Sequence, residues 1–323
     1  MKILHICAGW QKWNGAANIA RMIMDEQRRE GHEVSFATWA KVRELRAADE
    51  VWIHCGWLPC LWWAAVVCFL TQRRRGAECA ERILKWMPEA CYDPVRLRYH
   101  GWKKWLVGPI ERWCSRRCDR IVATCEAEKG WIQAYLGNHC PPIEVTDIKR
   151  FFRLPLNDKT GQTHFIISRP LHLLYLGRRH PLKGVEYLEQ AVAELNSNPV
   201  NPVNPVQNSP LHVSTRSTRL KTSAYSASLR LCVKIISSAF GEELEKVWDW
   251  CDVLVLPTFS DNFGLVIAEA LERGKRVITT DGAPAWGDGN TYGGRLVYLN
   301  GYRDGTSDER ISLLKTAIEN IAK

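Results

Sequence analysis

The chain has 323 residues, 46% hydrophobic and 24% charged, with a formal net charge of +9 at pH 7. That length suits two domains of roughly 150 residues each, and the composition excludes a disordered or collagenous chain. The positive balance favours anionic partners, namely phosphorylated ligands, nucleic acid or an acidic membrane surface, without choosing among them. Twelve cysteines include no Cys-x-x-Cys pair and no His/Cys spacing suited to zinc, so they read as reduced, mostly buried thiols of a cytoplasmic protein.

In chain order, KILHICA at 2–8 reads as a buried first strand. The following loop carries Asn14-Gly15-Ala16, and AANIARMIMDEQRREG reads as a helix stopped at Gly31. HEVSFAT from His32 to Thr38 and EVWIHC from Glu50 to Cys55 read as further strands. The apolar run from Trp57 to Leu70 falls short of the about 20 residues a bilayer span needs, so a buried helix is expected. The opening residues lack the apolar stretch of a signal peptide. Pro94 to Arg120 interleaves Trp102, Trp105 and Trp113 with Arg96, Arg98, Lys103, Lys104, Arg112, Arg116 and Arg117. Such a helix either buries a tryptophan face or lies on anionic lipid. RIVAT at 120–124 is again a strand.

After about residue 150 the pattern restarts. LHLLYL (171–176) reads as a strand, VEYLEQAVAEL (185–195) as a helix, DVLVL (252–256) as a strand, 265–272 as a helix and RVITT (276–280) as a strand. Alternation of this kind specifies parallel α/β sheets. Between Asn196 and Ser228 a tandem Asn-Pro-Val repeat and a Ser/Thr-rich run interrupt it. Proline removes ladder donors, so this stretch is expected to be a flexible surface insertion.

Two loops carry the chemistry. GRRHPLKG (177–184) follows a strand and precedes a helix, placing Arg178 and Lys183 at the carboxyl edge of a sheet, where ligands of open α/β sheets sit. Two cations there can neutralise a diphosphate. PTFSDNFGLVIAE (257–269) puts Asp261, Asn262, Phe263 and Gly264 before a helix that begins near Leu265 and carries Glu269. The unpaired N–H groups of a helix start bind anions or sugar hydroxyls. Asp261 also reads as a helix cap, a role compatible with sugar binding. His54 and Glu89 admit bland readings too, as a packed core histidine and a solvated charge.

The GR…KG loop and SDNFGLVIAEAL resemble the C-terminal domain of the retaining glycosyltransferases called family 4, or glycosyl transferases group 1. KILHI…NGAANIA…GHEVSFAT and CDRIVATCEAE are similar, more loosely, to the N-terminal domain of that family. The resemblance implies an α/β GT-B fold: two facing Rossmann-like domains with an inter-domain cleft, here 1–155 on the acceptor side and 165–323 on the donor side with the insertion at about 196–228. It implies a nucleotide-sugar donor, UDP- or GDP-linked, as substrate, with no cofactor and no metal. A saccharide or lipid-linked acceptor of cell-envelope polysaccharide or lipopolysaccharide synthesis would meet it, with peripheral contact at the inner face of an anionic membrane and no nucleic acid.

Carried over residue by residue, Arg178 and Lys183 would hold the donor diphosphate and Asp261 would stand near the sugar hydroxyls. Asn262, Phe263, Gly264 and Leu265 would line the donor, Glu269 would hold the ribose, and Gly15 would approach from the other domain. Asp261 replaces a longer glutamate, and Glu89-Ala90 stands where the family often has His-Gly. A non-catalytic nucleotide-sugar-binding member and an epimerase on the same fold are the alternatives.

Overall fold

The computed structural model describes residues 1–7, 15–54, 62–67, 83–89, 91–99, 101–137, 140–155, 170–197, 207–208 and 231–322. The chain divides into two compact units, Met1–Phe151 and Phe152–Lys323. Each is a wholly parallel sheet with helical crossovers.

In the first unit, β1 (Lys2–Cys7) is followed by α1 (Gly15–Arg29), β2 (Glu33–Ala37), α2 (Val42–Ala47) and β3 (Glu50–His54). Then come β4 (Ile83–Met87), α3 (Pro94–Tyr99), α4 (Gly101–Ser115), β5 (Arg120–Ala123), α5 (Glu126–Leu136) and β6 (Ile143–Val145). The strand order is β2-β1-β3-β4-β5-β6. The chain therefore leaves β1 in one direction for β2 and returns past it to β3, which makes the β1/β3 junction a topological switch point.

Strand side chains alternate between faces. One face of this sheet sends Leu4, Ile6, Val51, Ile53, Leu84, Trp86 and Ile121 into an apolar core. The other face is polar at its centre: β1 contributes His5, which lies opposite Trp52 of β3, and His54 ends β3 on the same side. His5 and His54 are fully buried, and Gln27 of α1, itself buried, is hydrogen-bonded to His5. His54 is thus packed, as its bland reading had it. Glu89 is not a solvated charge: its side chain is only 11% exposed.

The apolar run at 57–70 is described only over 62–67, which is helical. The aromatic, basic stretch folds as α3 and α4. Trp102, Trp105, Leu106, Ile110 and Trp113 recur at helical spacing, yet Trp102 and Trp105 are 69% and 80% exposed. The stripe faces away from the core, and α4 buries Glu111, Cys114 and Ser115 instead. No helix among the described residues is long and apolar enough to cross a membrane.

The second unit contains β7 (Leu171–Leu176), α6 (Val185–Ser197), β8 (Gln207–Asn208), β9 (Leu231–Ile236), α7 (Gly241–Trp250) and β10 (Val253–Leu256). It continues through α8 (Leu265–Glu272), β11 (Arg276–Thr280), β12 (Leu296–Leu299) and α9 (Ser307–Ala322). The order is β12-β11-β10-β7-β9-β8, so the switch point lies between β7 and β10. Of the repeat-bearing insertion, only the tail of α6 and the two residues of β8 are described; β8 is an edge strand, where missing ladder donors are tolerated. The rest of 196–228 lies outside the described residues. Cys7, Cys91, Cys114, Cys118 and Cys251 are buried.

Burial depresses the His54 pKa from 6.5 to about 3, and burial and its neighbour His54 lower that of His5 as well. Both imidazoles are neutral when folded, while the unfolded chain takes up their protons first. Their stabilisation is complete above pH 6.5 and is lost as pH falls toward about 3. Thermal melts on acidification should show the first unit weakening through that window, and His54→Asn should flatten the trend. A melting profile indifferent to acid in wild type contradicts the assignment.

Candidate active site

The second switch point is built by the two loops that leave β7 and β10. The first runs from Gly177 through a 3-10 turn, Pro181–Lys183, to the start of α6. His180 caps the turn, its Nδ1 accepting from the Leu182 N–H at 3.2 Å. Gly184 ends it in the left-handed region at φ 60°. The Leu182 carbonyl accepts from the Phe259 N–H at 2.9 Å and from the Thr258 hydroxyl at 3.1 Å, so the two loops are joined backbone to backbone. The loop after β11 joins them: Thr280 Oγ1 donates to the Thr258 carbonyl, and Asp261 N–H donates to the Gly282 carbonyl at 2.8 Å.

This stitching aims the charged groups. Lys183 Nζ is paired with Asp261 Oδ2. The other carboxylate oxygen accepts the Gly264 N–H at 3.1 Å. Asp261 is therefore both the lysine's counter-ion and the brace of the turn that opens α8. Gly264, at φ 65°, is the N-cap of that helix. Asn262 and Phe263 are buried. The Phe263 ring packs at 5.3 Å from Trp286 and its carbonyl accepts the Trp286 indole N–H.

Arg178 lies at the other end of the first loop. It is exposed, and its carbonyl accepts from the Tyr175 hydroxyl at 2.9 Å. No described carboxylate pairs with its guanidinium. Tyr175 is buried under the loop, and burial and then Asp261 push its phenol well above the usual range. Leu265 and Glu269 are half-buried on the first two turns of α8. Burial raises the Glu269 carboxyl, against the pull of Arg273. Gly15 is the first residue of α1, exposed, in the other unit; the loop before it lies outside the described residues. No group of three or more His, Cys, Asp or Glu that could hold a metal occurs among the described residues.

Four structural contributors carry no motif of their own. Tyr175, Thr258, Gly282 and Trp286 hold the loops but touch them through backbone atoms. The Lys183-Gly184 pair is a partial signal, since a glycine after a capped turn marks a close approach.

Two parallel sheets, each with its ligand edge at a strand-order switch point, define the two-Rossmann class of proteins, the GT-B fold of glycosyltransferases. Residues 170–306 match the family model described as "Glycosyl transferases group 1". The matched residues lie within the second unit, Phe152–Lys323. A D-inositol 3-phosphate glycosyltransferase of Corynebacterium jeikeium (strain K411) is 30% identical over 190 residues, 54% of this chain and 44% of the relative. The match thus spans less than half the length of that relative.

Among solved structures, a sucrose-phosphate synthase from Thermosynechococcus elongatus superposes with TM-score 0.60 at 13% identity, covering 99% of this chain and 92% of that one. WaaG, a glycosyltransferase involved in lipopolysaccharide biosynthesis, gives 0.54 at 10% identity, covering 99% and 90%. At such identities the likeness is one of fold.

The Gly184 position tests the stitching. A Cβ there would lie 2.2 Å from the Pro257 carbonyl oxygen, at a positive φ. Gly184→Ala should destabilise the second unit by at least ~2 kcal/mol. Gly274→Ala, at φ 71° with nothing within 4 Å, should cost only ~1 kcal/mol. Equal melting temperatures for the two variants contradict the close approach.

Proposed function

We propose that the chain is a retaining, metal-independent glycosyltransferase that moves a hexosyl group from a UDP- or GDP-sugar to a saccharide or lipid-linked acceptor. The observation that carries this reading is the Lys183–Asp261–Gly264 cluster at the β7/β10 switch point, beside the start of α8. A nucleotide diphosphate is the ligand such an edge suits: a cation on a rigid loop and a helix start both favour negative charge. Arg178, with no described carboxylate beside it, is the second cation. Glu269 receives the ribose hydroxyls, and Asn262, Phe263, Gly264 and Leu265 contact the donor. Gly15 serves the donor from the N-terminal unit.

Cleavage of a glycosyl–phosphate bond puts negative charge on the departing diphosphate. Lys183 and Arg178 stabilise that charge, which is commonly the largest contribution to catalysis. Asp261 releases Lys183 to the phosphate and offers its freed Oδ2 to the sugar hydroxyls, while its Oδ1 keeps the Gly264 N–H. The curated relative's name supports an acceptor that bears several hydroxyl groups and a phosphate, and WaaG's role supports an envelope glycan. One observation favours a second reading, a member that binds nucleotide sugar without transferring it: Lys183 already has a counter-ion.

A thermal-shift panel of UDP- and GDP-sugars should single out one donor, since a ligand that binds only the folded state stabilises it. Lys183→Ala should reduce transfer from that donor by on the order of 100-fold, about 3 kcal/mol of lost leaving-group stabilisation, without lowering the melting temperature comparably. Wild-type turnover in this variant removes the assignment. Donor binding without transfer or hydrolysis establishes the second reading.

The α4 stripe supports a cytoplasmic protein that works at the inner membrane face. Its exposed tryptophans are flanked by exposed Arg112 and Arg116 on a chain of net charge +9. Indole rings at the headgroup level and arginines against anionic lipid form one surface. In flotation with vesicles containing phosphatidylglycerol at low salt, the protein should rise with the lipid. The double variant Trp102→Ala/Trp105→Ala should remain at the bottom. Absence of wild-type binding refutes membrane docking.

A further inference from the structure

The backbone is gripped on both sides of Lys183. The Leu182 carbonyl accepts the Phe259 N–H at 2.9 Å, and the Gly184 carbonyl accepts the Tyr187 N–H at 3.1 Å. The rings of these two donor residues meet edge to face at 5.7 Å. Both lie against the buried ring of Tyr302, at 5.4 Å for Phe259 and 6.3 Å for Tyr187. The Arg310 guanidinium of α9 closes the group, 4.7 Å from the centre of the Phe259 ring and 5.3 Å from that of Tyr187.

Arg310 also bonds across the group. Its Nε donates to the Tyr302 carbonyl at 2.9 Å and its Nη2 to the Arg303 carbonyl at 2.9 Å. Its Nη1 donates to the Tyr187 hydroxyl at 3.3 Å. The segment that offers the two carbonyls is itself fixed, because Asp281 accepts the N–H groups of Gly301 and Arg303. One guanidinium therefore ties the segment after β12 to the two residues whose N–H groups hold the chain beside Lys183. A planar fork suits that task, since its donors point in fixed, separate directions.

The placement of Arg310 works against local preference. It is the fourth residue of α9, and a cation in the first turn opposes the helix dipole. Among the described residues no carboxylate pairs with it. The adjacent Glu309 instead accepts the Thr306 N–H at 2.6 Å, one half of a capping box. Carbonyls, a hydroxyl and ring faces hold this half-buried cation where an anion would be expected.

We propose that Arg310 is a positioning residue for Lys183: it locks both backbone grips, so that the ammonium meets a nucleotide diphosphate at the β7/β10 edge from a loop already in place. Arg310 touches no ligand, and its geometry rather than its charge is what acts. The assignment rests on the reading of that edge as the donor diphosphate site.

Lysine footprinting of the full chain with an acylating reagent tests the geometry without ligand. Lys183, 17% exposed and paired with Asp261, should be protected in wild type and readily modified in Arg310→Met. Arg310→Lys keeps the charge but loses the fork, and should behave as Arg310→Met does. Lys315 lies on the same helix, paired with Glu194, and should react equally in all three proteins. Should Arg310→Met not fold, Tyr187→Phe, which removes one acceptor of the fork, should expose Lys183 in the same direction to a smaller extent.

Titration calorimetry with UDP and GDP reads the consequence. Arg310→Met should weaken the diphosphate that wild type binds by about tenfold, and should add little to the loss already caused by Lys183→Ala, because residues acting through one contact are not additive. An unchanged Lys183 footprint, full protection in Arg310→Lys, a parallel rise at Lys315, or an equal loss of affinity with and without Lys183 overturns the proposal. A footprint that responds in a protein binding neither diphosphate keeps the clamp on Lys183 and ends the donor reading. Diphosphate binding that Arg310→Met leaves unchanged keeps the donor reading and ends this assignment alone.

Discussion

The Leu182 carbonyl is the point on which the geometry of the β7/β10 edge turns. It takes both the Phe259 N–H and the Thr258 hydroxyl, and so ties the loop after β7 to the loop after β10. Those strands are neighbours only because the order reverses between them. The tie demands contact distances that a side chain forbids: a Cβ on Gly184 would meet the Pro257 carbonyl at 2.2 Å, and one on Gly282 would meet the Thr258 carbonyl at 1.9 Å. Lys183 is therefore not a lysine on a free loop. It is mounted on a capped 3-10 turn next to the first of these contacts, and Asp261 holds its ammonium in place.

Within that frame the Lys183–Asp261 pair is neither a surface ornament nor a buried lock. Its side chains are 17% and 28% exposed. A pair so placed keeps its Coulomb attraction only in part, because water screens it. In the proposed reaction a diphosphate, which brings more charge than one carboxylate, takes the lysine while Asp261 keeps its bond to the Gly264 N–H. The ligand-free protein thus holds its cation in place with an anion that belongs to the same site.

Much of this was legible in the sequence because periodicity and glycine spacing are local. The strands at 171–176 and 276–280 and the helix at 265–272 coincide with the elements observed. The strands β4, β6, β8, β9 and β12 were not foreseen: β6, β8 and β12 have only three, two and four residues, and β9 (LCVKII) follows closely on the Ser/Thr-rich stretch read as an insertion. The α4 stripe shows a different limit. Helical spacing identifies a stripe but not the side it faces, and here the exposed side carries the tryptophans. Thr258, Gly282 and Trp286 were invisible for a further reason: they bond backbone atoms of residues distant in the chain, and no motif encodes that. Tyr175 bonds the carbonyl of Arg178, only three residues on, again a contact to backbone that leaves no motif. The partners of Lys183 were readable as residues, not as a pair, since Asp261 lies 78 positions on.

The two switch points differ in electrostatic kind, and the difference follows from solvent. At β7/β10 the groups are ionised and partly wet, a setting in which charge can be exchanged with an anionic ligand. At β1/β3 the imidazoles are enclosed, and desolvation removes their charge rather than pairing it. A dry, neutral pair of imidazoles cannot attract a phosphate. Each sheet edge carries the chemistry that its own burial allows.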